Sequence, residues 1–110
     1  MSVFRIMWLM LMFDLPTKTK KQRKKYHWFH AELEKEGYSM IQYSVYGKIF
    51  SSTESAKLGK KRIKKFIKTN IKNGNIRILM FTDKQFASMD IIIGEQSIEE
   101  KNEPKQLLLF

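Results

Sequence analysis

The segment Trp8-Leu9-Met10-Leu11-Met12-Phe13-Asp14-Leu15-Pro16 constrains the fold more than any other part of the chain. A short apolar run closed by Asp-Leu-Pro reads as a buried strand entering a turn, and it predicts a strand over residues 4–13. Alternation puts Val3, Met7, Leu9, Leu11 and Phe13 on one face and Phe4, Ile6, Trp8, Met10 and Met12 on the other. Both faces are apolar, so both need cover. In a chain of 110 residues the helices cover one face. The second calls for another copy, which predicts a homodimer packed through its sheets.

Charge narrows the partners. Lys and Arg number 21 against 11 Asp and Glu, a formal net charge of +10, and the pI is about 9.9. Such a balance is the electrostatic footprint of nucleic-acid binding, although anionic membranes and acidic proteins also exploit it. The absence of cysteine excludes disulfides, zinc-thiolate sites and thiol nucleophiles. The apolar run over residues 6–13 is too short to span a bilayer and has neither a basic leader nor a small-residue cleavage site. A soluble cytoplasmic protein of one domain is expected, with no internal repeat.

Thr19 and Gln22 have capping-box spacing at the start of a first helix, with Tyr26, Phe29 and Leu33 as its inward stripe and Gly37 just past its end. Residues 38–42 and 43–50 read as two strands or one bent ribbon, joined near Gln42-Tyr43-Ser44. A second helix is predicted over 53–72, with Glu54 in its first turn and Asn73-Gly74 closing it. Ala56, Gly59, Ile63, Phe66, Ile67 and Ile71 make its buried face. A strand over 76–82, a turn over 83–87 and a short strand over 89–93 follow. The order is that of an α+β, ferredoxin-like βαββαβ fold with an additional C-terminal strand. Domain organisation follows: residues 1–94 form the domain, 95–105 an acidic linker with Glu95, Glu99, Glu100 and Glu103, and 106–110 a docking strand or peptide.

Phe13-Asp14-Leu15-Pro16-Thr17, the basic run to Lys25, Gly37-Tyr38 and Ile41-Gln42-Tyr43-Ser44-Val45-Tyr46 together resemble the CRISPR-associated protein 2 family. The likeness covers about residues 6–94. It implies a ferredoxin-like homodimer that bridges two dimers of the CRISPR integrase subunit while foreign DNA is captured as a new spacer. It also implies a second reading, because some members are described as magnesium-dependent endonucleases acting on RNA or double-stranded DNA. The strand-one aspartate implicated there is Asp14, the basic pair after it falls on Lys21 and Arg23, and the closing aromatic on Tyr46. A basic family position three residues before the tyrosine that opens the second block is Met40 here, a departure that weakens the nuclease reading.

Each candidate site has two readings. Asp14 is either a catalytic magnesium ligand, its ion shared by two copies across the dimer axis, or a turn-capping carboxylate. Lys18, Lys20, Lys21, Arg23 and Lys24 are either a phosphate-binding surface or a solvated helix face, and their density favours phosphate. The nucleic acid expected is double-stranded DNA, with RNA as the alternative. His27 and His30 have no evident third ligand and read as structural or surface residues. Trp28, Tyr38, Tyr43 and Tyr46 are packing residues before they are base-stacking ones. The tail Gln106, Leu107, Leu108, Leu109, Phe110 resembles the peptide with which bacterial proteins dock on the sliding clamp. The favoured reading of it is strand addition to a partner protomer or the integrase subunit. Two functions stand open: a DNA-binding assembly subunit, and a magnesium-dependent nuclease.

Overall fold

The computed structural model describes residues 5–94, and in chain order they form β1 (Met7–Asp14), α1 (Lys20–Lys35), β2 (Ser39–Gln42), β3 (Val45–Phe50), α2 (Thr53–Asn70), β4 (Asn75–Thr82) and α3 (Asp83–Ala87). The strands make one antiparallel sheet in the order β2-β3-β1-β4, the ferredoxin-like arrangement. The strand expected from residue 4 begins at Met7; Val3, Phe4 and the whole of 95–110, linker and tail included, lie outside the described residues.

Local chemistry fixes both long helices. Thr19 Oγ1 accepts from Gln22 N at 3.1 Å while Gln22 Oε1 accepts from Thr19 N at 3.0 Å, so the expected capping box is formed. Past its other end Gly37 adopts φ +92°, and Lys48 Nζ donates to Glu36 O at 2.7 Å, satisfying a terminal carbonyl. Ser52 caps α2 in the same reciprocal way with Ser55. That helix ends at Asn70 rather than at residue 72.

The core lies between the sheet and these two helices. Leu9, Leu11 and Phe13 from β1 meet Phe29 and Leu33 from α1, Tyr46 from β3 and Ile63 from α2, all buried. Phe50, Phe66, Ile67 and Ile71 are only partly covered. Tyr38 is buried at the edge of this cluster, and burial, with Glu36 nearby, pushes its hydroxyl up to about 12. No helix of the described residues is long and apolar enough to cross a membrane.

The opposite sheet face departs from expectation in two places. Residues 83–87 form a short helix, not a turn, started by Thr82 Oγ1 accepting from Gln85 N at 3.0 Å. Its Phe86 stacks on Trp8 at 4.0 Å, so one end of the second face of β1 is covered from within the chain. Residues 89–93 form no strand: none of them pairs with a strand of the sheet, and Ile92 and Ile93 are 88% and 94% exposed. After β4 the chain enters α3 instead of a hairpin turn, so 89–93 is not laid back along a strand. Elsewhere on that face Leu79 remains 51% exposed.

Candidate nucleic-acid interface and strand-end carboxylate

Asp14 is the last residue of β1 and is exposed, with two turns bracketing it. On one side Ser44 adopts φ +64°, and its carbonyl accepts from Phe13 N at 3.0 Å, pinning the β2–β3 turn against the end of β1. On the other, Asp14 pairs with Asn75, the first residue of β4. The preceding Gly74 lies so close that a Cβ there would sit 2.7 Å from Asp14 O. With φ +110°, the position suits glycine on both counts.

Behind the carboxylate stands a polar-aromatic cluster. The Tyr26 hydroxyl and Ser44 Oγ are 2.8 Å apart, and His30 Nδ1 is 2.8 Å from the Tyr46 hydroxyl. Burial, with Tyr43 and Asp14 nearby, raises the Tyr26 hydroxyl's pKa, against the Ser44 hydrogen bond, which lowers it. Burial lowers the pKa of His30, helped by His27 and opposed by Glu34. Its Nε2 is buried without a hydrogen-bond partner, while its ring packs among Phe13, Tyr26 and Tyr46. An imidazole packed in this way is structural, while His27 is exposed on the same helix. Among the described residues no three His, Cys, Asp or Glu side chains gather as a metal site.

Asp83, the acid that follows β4, lies at the far end of the sheet, where its backbone N donates to Ile6 O and its carboxylate accepts from Trp8 Nε1. Among the described residues, then, Asp14 has no second acid beside it at its end of the sheet.

The basic residues divide by what holds them. Lys18, Lys20, Lys21 and Lys24 are exposed around the first turns of α1. Arg23 is tethered: its Nη1 donates to Thr17 O at 3.1 Å and Lys18 O at 2.9 Å, so it braces the loop that follows Asp14 while still presenting its charge. Lys57, Lys61, Lys64, Lys65 and Lys68 add an exposed row on α2. Arg62 is engaged with Glu36 at 2.9 Å. Of the aromatic candidates, Tyr38 and Tyr46 are buried, Tyr43 is 69% exposed and Trp28 is half-buried against Phe66.

The sequence reading missed three contributors: Ser44 as the residue that docks the turn, Gly74 as the close approach to Asp14, and a cleft between α1 and the end of α2. The Tyr-Ser pair and Asn-Gly were visible as turn chemistry. The cleft is assembled from residues about fifty apart and had no local signal.

Comparison with known proteins agrees with this architecture. Residues 7–89 match the family model for CRISPR associated protein Cas2. Three relatives carry the name CRISPR-associated endoribonuclease Cas2. That of Flavobacterium psychrophilum is 36% identical over 110 residues, covering 100% of this chain and 93% of the relative. That of Parvibaculum lavamentivorans is 38% identical over 104 residues, covering 94% and 100%. That of Campylobacter jejuni is 40% identical over 107 residues, covering 96% and 73%. With the sheet order, the Asp14 turn and a match over most of its length in agreement, the chain belongs to the Cas2 family of CRISPR-associated proteins.

Proposed function

We propose that this chain is a cytoplasmic adaptation subunit: a homodimer that binds double-stranded DNA by its phosphates and bridges dimers of the CRISPR integrase subunit during spacer acquisition. The observation that carries this is the basic surface running over α1 and α2, beside which Asp14 is, among the described residues, the one carboxylate at its end of the sheet. Lysines on exposed helix faces neutralise phosphates without reading bases, which suits a protein that must hold any foreign sequence. The exposed apolar side chain of Leu79 on the far face of the sheet supports pairing of two copies there. The tail Gln106–Phe110 then adds as a strand to the integrase subunit in preference to a sliding clamp.

A reconstituted integration assay tests the reading. Reversing Lys20, Lys21 and Lys24 together to glutamate should lower binding of unrelated duplexes alike, flatten its salt dependence and depress integration. Deleting residues 106–110 should weaken association with the integrase subunit while leaving DNA binding intact.

The relatives' name favours a second reading, cleavage of RNA with Asp14 at the centre. Two copies of Asp14 would hold a magnesium ion, which would supply charge neutralisation and an activated water. The fit calls for the dimer, since among the described residues each protomer brings one carboxylate to that end of the sheet.

A further inference from the structure

Between the start of α1 and the end of α2 lies a cleft of about 860 Å³, within the roughly 300–1,000 Å³ of ligand sites generally. It begins at Leu15 and Pro16, the residues that directly follow Asp14, and Ile71 and Trp28 complete its apolar lining. Lys21, Lys24, Lys25 and Lys72 are all among the lining residues, and none of the lining residues is acidic. Lys25 Nζ stands 4.6 Å from the centroid of the Trp28 ring, whose indole is also stacked on Phe66 at 5.7 Å.

We infer that this cleft takes one unpaired nucleotide of a single-stranded end, its base against Trp28 and its phosphates among the lysines. A ligand that is both anionic and flat is what such a cleft complements: four ammonium groups call for phosphate, and once the flexible Lys25 side chain swings from the ring to a phosphate, the indole is a stacking platform for a base. An acidic peptide would use the lysines and leave the ring idle. A duplex would present phosphates but no free base. The cleft thus adds to the phosphate-binding surface a means of telling frayed or overhanging DNA from a blunt duplex. The inference rests on the proposed nucleic-acid role, and the experiment separates the two.

The full chain is titrated with a blunt duplex, the same duplex carrying a short oligothymidylate overhang, and that overhang with abasic sugars in place of bases. The overhang should tighten binding about tenfold over the blunt end and quench tryptophan fluorescence. The abasic overhang should give neither effect. Trp28→Leu should abolish the gain and the quench while blunt-duplex affinity is kept, Trp8 remaining as an internal reference because it is buried against Phe86. The abasic arm needs no variant, so the test stands even if Trp28→Leu folds poorly. Equal binding of blunt and overhanging duplexes, an abasic overhang as good as the normal one, or the same quench from polyglutamate would each overturn the cleft assignment. Failure of all three DNA probes to bind would instead remove the nucleic-acid role on which it rests.

Discussion

The indole Nε1 of Trp8 donates to Asp83 Oδ1 at 2.8 Å, joining residues 75 apart in sequence. The bond ties α3 to the sheet face that the strand pattern left uncovered. It also fixes the geography of the acids. Met7 pairs with Thr82 and Asp14 with Asn75, so the two carboxylates are separated by about seven residues of strand, roughly 23 Å. Asp83 therefore works as an indole acceptor and cannot share an ion with Asp14 of its own chain.

Removing the ring that covers Trp8 tests this arrangement. Phe86→Ala loses the stacks on Trp8 and Phe81 and should destabilise the fold by roughly 1–3 kcal/mol in chemical denaturation. An unchanged midpoint would mean that α3 contributes nothing to the sheet.

Gly74→Ala introduces a Cβ 2.7 Å from Asp14 O at a backbone angle of φ +110°. A loss of at least about 1–3 kcal/mol is expected, with the Asp14 turn shifted in NMR spectra. Asn73→Ala, one residue away, serves as the control.

The imidazole of His30 sets a pH limit. Its pKa lies below the ordinary 6.5 because burial disfavours the charged ring, so in acid the unfolded chain binds a proton that the folded chain resists. Stability should hold above pH 6.5 and fall as pH drops through that value toward the lower folded pKa. In His30→Gln this part of the descent should be absent, as read from denaturation midpoints across the pH range.

How much of this was legible in the sequence depended on distance along the chain. The Thr19–Gln22 box and the Tyr26, Phe29, Leu33 stripe are determined within one or two helical turns, and both formed where expected. Ala56 and Ile63 were found by the same period. The five residues of α3 are too few to show a helical repeat, so the segment read as a turn. Ile91, Ile92 and Ile93 read as a strand on composition, yet pairing depends on the chain returning along an edge strand, which no local pattern encodes. Asp14 was recognisable from its turn; the Ser44 and Gly74 contacts that hold it, and the cleft beside Trp28, arise only when distant segments meet.

Sheet-to-sheet pairing of two copies should be visible by sedimentation as a dimer at micromolar concentration. Leu79→Glu, which places a charge on the exposed apolar face, should shift it to monomer without unfolding. A wild-type protein that sediments as a folded monomer would contradict the dimer.

The central claim is that assembly, and not chemistry at Asp14, is what this protein contributes to adaptation. Its most direct test is spacer integration by the reconstituted complex carrying Asp14→Ala, in a protein shown to be dimeric and to bind DNA and the integrase subunit normally. Integration close to that of the wild type is expected. Loss of integration in that otherwise competent dimer would contradict the account and make the carboxylate chemically essential.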